Sequence, residues 1–204
     1  MLFKSKIFID IIYSMCGRYA LYSKKLVKKK YNIGLNKNYN ISPFSKVLIL
    51  RRELNAEMLY WGINKQYNSK EFKLINARIE SIEVKSFYIK SERCIFITDG
   101  YYEWSKHNNK KKPYYFYFKS SLLYLGGLII DDKALIITMP SNSETSFIHH
   151  RQPLVINERN ISDWIQGDTK LDMYKASNLN YHQVSNKVNN PLNNFESLIK
   201  ISNI

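Results

Sequence analysis

The sequence predicts a single α+β domain built on a curved, β-barrel-like antiparallel or mixed sheet with a few peripheral helices. Two observations carry that expectation. Successive segments are rich in β-branched and aromatic residues, which pack well on a pleated sheet, while stretches with helical character are few and short. No internal repeat and no Pro-, Gly- or Ser-rich linker divides the 204 residues, a length suited to one domain with a substantial core. The domain is expected to span residues 16–204, with residues 1–15 a leader or the product of a mis-assigned start.

Taken in order, "MLFKSKIFIDIIYSM" sets Lys4 and Lys6 before an apolar run. Asp10 interrupts that run, no small-residue cleavage site follows, and it is too short to span a bilayer. Ser23 reads as the N-cap of a basic helix over 24–31. "KVLILRREL" (46–54) and "AEMLYWGI" (56–63) read as strands joined by a tight turn at Asn55. "FKLINARI", "RCIFITDGYYEW", "PYYFYFKS", "LLYLGGLII" and "KALIITM" follow as strands, with the hydrophilic "SKHNNKKK" (105–112) a loop between two of them. Ser162 reads as the cap of a helix containing Trp164, and "LDMYKAS" as a further helix. "YHQVSNKVNNP" reads as a strand leaving into a loop.

Hydrophobic content of 45% and aromatic content of 14% exclude a disordered chain. The net charge of +14 fits a polyanionic partner, although runs such as Lys28–Lys30 also suit a solvated face. Only 7 of the 31 basic residues are Arg, so each Arg marks a place where a planar, bidentate donor is used in preference to a point charge. The two cysteines, Cys16 and Cys94, form no disulfide framework, and no Cys/His spacing resembles a zinc site. A reducing cytoplasmic setting, with no metal or organic cofactor, is therefore expected.

Four clusters can carry chemistry. Met15-Cys16-Gly17-Arg18 looks like the start of a protein: removal of Met15 would leave Cys16 with a free α-amine beside its thiol. "INARIES" puts Asn76 and Arg78 at alternating positions of a strand, hence on one face. "TDGYYEW" lets the chain bend at Gly100 and sets Glu103 between aromatics, where desolvation would raise its pKa towards proton-transfer use. "HHRQP" offers His149, His150 and Arg151. Each also has a structural reading: Asn76 as a turn cap, Arg78 paired with Glu80 or Glu83, Glu103 at the surface, His149 as a satisfied core histidine. Four of the seven arginines (18, 78, 93 and 151) lie in or beside these clusters, which points to a site for planar oxyanions such as phosphates.

The order of the pieces resembles the SRAP family, the SOS response-associated peptidase or abasic-site shielding proteins. "MCGRYAL" (15–21), "YNISP" (39–43), "WG" (61–62), "NARIES" (76–81), "RCIFITDGYYEW" (93–104), "KKPYYF" (111–116), "GGL" (126–128), "HHRQP" (149–153) and "VSNKVNNPLNN" (184–194) run in family order. The resemblance implies a barrel-like mixed fold and a monomeric, nucleoid-associated bacterial protein of the DNA damage response. Its partner would be single-stranded DNA containing abasic sites. Cys16 would be the nucleophile, forming a thiazolidine crosslink with the sugar aldehyde. Asn76, Glu103 and His149 would complete the catalytic set, and Arg18, Arg78, Trp61 and Arg151 would bind DNA. The alternatives are a thiol peptidase removing the leader before Cys16 and a non-covalent basic module for single-stranded DNA. The chain departs from the family pattern where Asn64 and Tyr67 replace a Pro and a second Trp, and where Gln152 replaces Met.

Overall fold

A computed structural model of the chain describes residues 16–67, 70–107, 110–168 and 179–202. The expected leader (1–15) and the expected helix at 171–177 lie outside the described residues. Among those described, the strands are β1 (Tyr19–Leu21), β2 (Asn38–Ile41), β3 (Lys46–Leu50), β4 (Ala56–Trp61), β5 (Ile63–Tyr67), β6 (Lys70–Leu74) and β7 (Asn76–Arg78). They continue with β8 (Glu92–Thr98), β9 (Gly100–His107), β10 (Lys110–Tyr117), β11 (Leu123–Ile130), β12 (Lys133–Pro140), β13 (Arg151–Pro153) and β14 (Asn180–Gln183). The helices are short: α1 (Lys24–Tyr31), α2 (Ser86–Ile89) and α3 (Ile161–Gln166).

The barrel-like part is a closed ring. β11 pairs with β8, β8 with β3, β3 with β4, β4 with β12, and β12 returns to β11. Its β4–β12 seam is parallel, so the sheet is mixed, and β7 and β13 attach along β12. Closure removes free sheet edges, and both faces of the sheet are packed: Ile49, Phe96 and Trp61 lie on one and Ile95 and Leu135 on the other, all essentially inaccessible to solvent. A second, fully antiparallel sheet has the order β14-β10-β9-β1-β2. A separate cluster of Tyr39, Tyr102, Tyr115, Val184, Val188 and Leu198 lies against it.

The two sheets meet at Asp99-Gly100, where the chain leaves β8 and enters β9. A side chain on Gly100 would lie 2.3 Å from the Phe116 carbonyl and 2.5 Å from the Tyr115 ring, so this close crossing of β9 and β10 requires glycine. Ser23 stands at the N-cap of α1 as expected, and the neighbouring Asp99 holds the chain just ahead of that helix. Its carboxylate accepts the Tyr22 and Ser23 amides at 2.5 and 2.8 Å, whereas the Ser23 side chain makes no capping bond to α1. That helix ends as its basic sequence implies, at Asn32 in the left-handed region (φ 56°).

Three further boundaries differ from expectation. The hydrophilic stretch expected as a loop at 105–112 is mostly strand: β9 runs to His107 and β10 begins at Lys110. A polar hairpin end needs no apolar pattern, because its hydrogen bonds come from the backbone ladder. Ser162 sits inside α3, whose first flanking residue is Asn160. The strands at 46–50 and 56–61 are joined by a 3-10 turn over Arg52–Leu54.

Candidate active site

Strand β1 carries the N-terminal cluster to its place. Tyr19 lies opposite Tyr101 and Ala20 opposite Gly100, and continuing that register brings residues 17 and 103 abreast. The Tyr102 amide donates to the Arg18 carbonyl at 2.9 Å, which locks this alignment. Cys16 is 1% exposed and Glu103 5%, and the Cys16 backbone nitrogen donates to Glu103 Oε2 at 2.9 Å. The other carboxyl oxygen accepts the Trp104 amide at 3.1 Å.

Burial dominates the electrostatics here. It pushes the Glu103 carboxyl up to about 8, against the opposing pull of its two N–H donors. It also pushes the Cys16 thiol well above its ordinary value, with the Glu103 charge adding to the effect. The thiol is therefore held neutral, a weak nucleophile at the start of any reaction. The Tyr101 phenol, likewise buried, is pushed up by the same desolvation. Sequence reasoning left Tyr101 out, although it stands two residues before Glu103 on one strand and hence on the same face.

Arg18 points to protein. Its guanidinium donates to Asn40 Oδ1 at 2.9 Å and to the Val188 carbonyl at 3.0 Å. Asn40, buried and overlooked in the sequence although it lies in "YNISP", donates its amide to the carbonyls of Val188, Asn190 and Asn193. Together they anchor the 186–193 segment, on which Trp104 rests through a 2.7 Å bond to Asn189 Oδ1.

The remaining candidates gather on the edge of the barrel around β12. Asn76 is buried and paired in register with Ile136, while Arg78, exposed, is opposite Thr138. Arg151, expected to bind DNA, is 7% exposed and clamps Glu80 through bonds of 2.9 and 3.0 Å. It also donates to the Thr138 carbonyl at 2.7 Å. Glu80 thus takes Arg151 as its bidentate partner and acts on Arg78 through charge alone. Trp61, also expected to bind DNA, is fully buried and donates its indole N–H to the Ile75 carbonyl at 2.9 Å. Both belong to the scaffold in this arrangement, because the contacts that bury them come from residues distant in sequence. His149 is half-buried, its ring tilted by 37° against that of His150 at 4.4 Å, with its Nδ1 within 3.2 Å of the Arg151 amide. Its segment reaches the second sheet through Phe147, whose ring lies 6.4 Å from that of Tyr114, the residue opposite Glu103.

Among the described residues, no three His, Cys, Asp or Glu side chains are grouped so as to hold a metal ion. No helix among them is long and apolar enough to cross a membrane.

A mixed, partly closed sheet with a cysteine nitrogen held on a buried carboxyl defines a specific class. The family model described as SOS response associated peptidase (SRAP) matches residues 15–191, and the chain belongs to this family. It is similar to the abasic site processing protein YoqW of Bacillus subtilis (strain 168), 29% identical, the match covering 91% of this chain and 99% of that protein. The abasic site processing protein YoaM of the same organism is 28% identical over 93% of this chain and 99% of its own length. Among solved structures, a Bacteroides thetaiotaomicron protein superposes with TM-score 0.73 at 19% identity, covering 91% of this chain and 98% of its own. A phage-related protein of Bordetella bronchiseptica gives TM-score 0.64 at 23% identity, over 83% and 94% of the two chains.

Proposed function

We propose that the protein processes abasic sites in single-stranded DNA by trapping them covalently on Cys16. The observation that carries this reading is the 2.9 Å bond from the Cys16 nitrogen to Glu103, because it presents the nitrogen, as well as the sulfur, to a proton-transfer group. Names of relatives that process abasic sites support it.

With Cys16 as the first residue, burial favours the uncharged forms of both the amine and the Glu103 carboxyl, so the amine is nucleophilic. It attacks the C1′ aldehyde of the ring-opened sugar. Glu103 donates a proton to the departing hydroxyl, water is released, and the resulting carboxylate takes back the remaining N–H proton as the imine forms. The S–H bond of Cys16 then adds across that C=N bond: sulfur bonds to C1′ and the proton passes to nitrogen, closing a five-membered thiazolidine. This second step is intramolecular and gains the effective concentration of a tethered reactant. A raised thiol pKa suits the sequence amine first, sulfur second. In this reading Asn76 and Arg78 hold the sugar and its flanking phosphate, His149 assists ring opening, and Arg18 positions the neighbouring segment. The protein acts as a cytoplasmic monomer beside the chromosome.

The test mixes protein translated from Met15, its mature mass confirmed to begin at Cys16, with single-stranded DNA carrying one abasic site. A shifted band on a denaturing gel is expected, lost with Cys16→Ser and lost when methoxyamine caps the aldehyde. No band from folded protein with a free Cys16 overturns the proposal.

The same Glu103 contact favours a second reading, cleavage of the Met15–Cys16 peptide bond. There Cys16 Sγ attacks the Met15 carbonyl, its S–H proton passes by way of Glu103 to the departing nitrogen, and a thioester is left for water to hydrolyse. It predicts that full-length chain loses residues 1–15 unless Cys16 is replaced, which intact-mass measurement over time decides.

A further inference from the structure

Three rings stand together beside the second sheet, on the face that carries Glu103. Tyr114, Phe147 and Tyr181 lie at mutual centroid distances of 6.4, 6.2 and 6.4 Å. Phe147 is 61% exposed and Tyr181 39%. One exposed apolar residue is ordinary; three clustered rings beside a reactive site are not. The cluster also continues inward. Tyr181 packs on Phe116 at 5.4 Å, and Phe116 stacks on Tyr101 at 4.7 Å with planes 1° apart, which brings the row to within two residues of Glu103 on one face of β9.

Phe147 is held in place despite its exposure. Asn142 Oδ1 accepts from the Thr145 amide at 3.0 Å and its hydroxyl at 2.6 Å. The Ile148 amide closes back on the Thr145 carbonyl at 2.9 Å, with Ile148 buried as an anchor. Gln152, a departure from the family pattern, accepts the Asn142 amide at 3.4 Å and so ties this turn to β13. A ring fixed by its turn loses little entropy on binding. Lys112, exposed and two residues before Tyr114 on β10, lies on the same face as the rings. Cation and aromatic faces side by side are what single-stranded nucleic acid uses for backbone and base.

We infer that Phe147, Tyr181 and Tyr114 form a stacking platform for an intact nucleobase flanking the abasic sugar, with Lys112 near its phosphate. The inference rests on the proposed reading of the Cys16 site and adds a consequence: the lesion is gripped through its neighbour, so an unstacked flanking base raises affinity whatever its identity.

Affinity is measured in the Cys16→Ser background, where no covalent step contributes, using single-stranded DNA with a tetrahydrofuran abasic analogue. Phe147→Ala and Phe147→Leu should each weaken binding by about fivefold to a hundredfold, the span of one base–ring stack, and Phe147→Trp should restore it. On an oligonucleotide also lacking the bases flanking the analogue, the parent should lose a similar factor and Phe147→Ala should add nothing. Binding within twofold of the parent for Phe147→Ala, or an equal loss on the base-free oligonucleotide, overturns the platform. Failure of the Cys16 crosslink with this base dependence intact overturns the proposed function alone.

Discussion

Two cysteines in this chain look alike and differ in what surrounds their nitrogens. Cys16 and Cys94 are both buried and unpaired, and burial raises both thiols. Cys94 sits mid-strand in β8, opposite Gly127 on β11, and its carbonyl accepts the Trp164 indole. Its backbone is consumed by the barrel. Cys16 lies just ahead of the first strand, and its nitrogen meets a carboxyl instead of a ladder carbonyl. Under the proposed function the contrast would place reactivity in the pairing of a backbone nitrogen with Glu103, since burial raises the thiol at both positions.

The largest expected effect is all-or-none. Cys16→Ser should abolish the denaturant-resistant DNA adduct, because a hydroxyl closes the ring far less readily than sulfur. Borohydride should still trap the imine made by its amine. If no reducible species forms on Cys16→Ser, the amine-first order is wrong.

Glu103→Gln should slow adduct formation by about 10²–10⁴-fold while leaving affinity for single-stranded DNA near the parent's. The same change has a stability signature. Below the unfolded pKa of a glutamate, folded and unfolded chains both carry the proton. As pH rises towards about 8 the unfolded state loses it first, so stability falls across that window and the loss is complete above it. Glutamine, with one acceptor oxygen for the Cys16 and Trp104 amides, carries no such proton and should remove this slope. Chemical denaturation at pH 5 and pH 8 measures it; parallel curves for the two proteins would show that Glu103 is not desolvated.

The residue types of this site were legible in the sequence, but their partners were not. Glu103 between aromatics already implied desolvation, and the alternation of Asn76 and Arg78 followed from strand periodicity alone. Helix α1 was readable to its ends because a short amphipathic pattern stopped at an asparagine. By contrast, the carboxylate that holds the approach to that helix comes from Asp99, 76 residues after Ser23, and Arg151 finds Glu80 71 residues away. Trp61 and Arg151 carry side chains suited equally to DNA and to packing, and only the closed barrel decides their burial. The bond from Glu103 to the Cys16 nitrogen was invisible for the same reason: it depends on β1 docking beside β9.

The arginines offer a finer test of that division. Arg78→Lys should cost about tenfold in affinity for abasic single-stranded DNA, roughly one charge-assisted hydrogen bond, with thermal stability unchanged. Arg151→Lys should do the reverse. It keeps the charge but loses the fork on Glu80 and Thr138, at roughly 2 kcal/mol, less than a fully buried pair because Glu80 is half-exposed. A fall in affinity for Arg151→Lys with no fall in melting temperature would return Arg151 to the DNA surface.

The smallest effect closes the comparison between the cysteines. Cys94 Sγ lies over Gly127, close enough that a methyl there would meet it at 2.9 Å. Cys94→Ala removes one sulfur from this tight contact and should cost about 1 kcal/mol, the scale of a deleted core methylene. The adduct rate should stay at the parent value, because the β8–β11 ladder holds its alignment without that atom. An adduct rate that drops with Cys94→Ala while the melting temperature moves by only a few degrees would mean that the barrel core and the Cys16 pocket are coupled. Reactivity would then belong to the packing between the two sheets as well as to the nitrogen on Glu103.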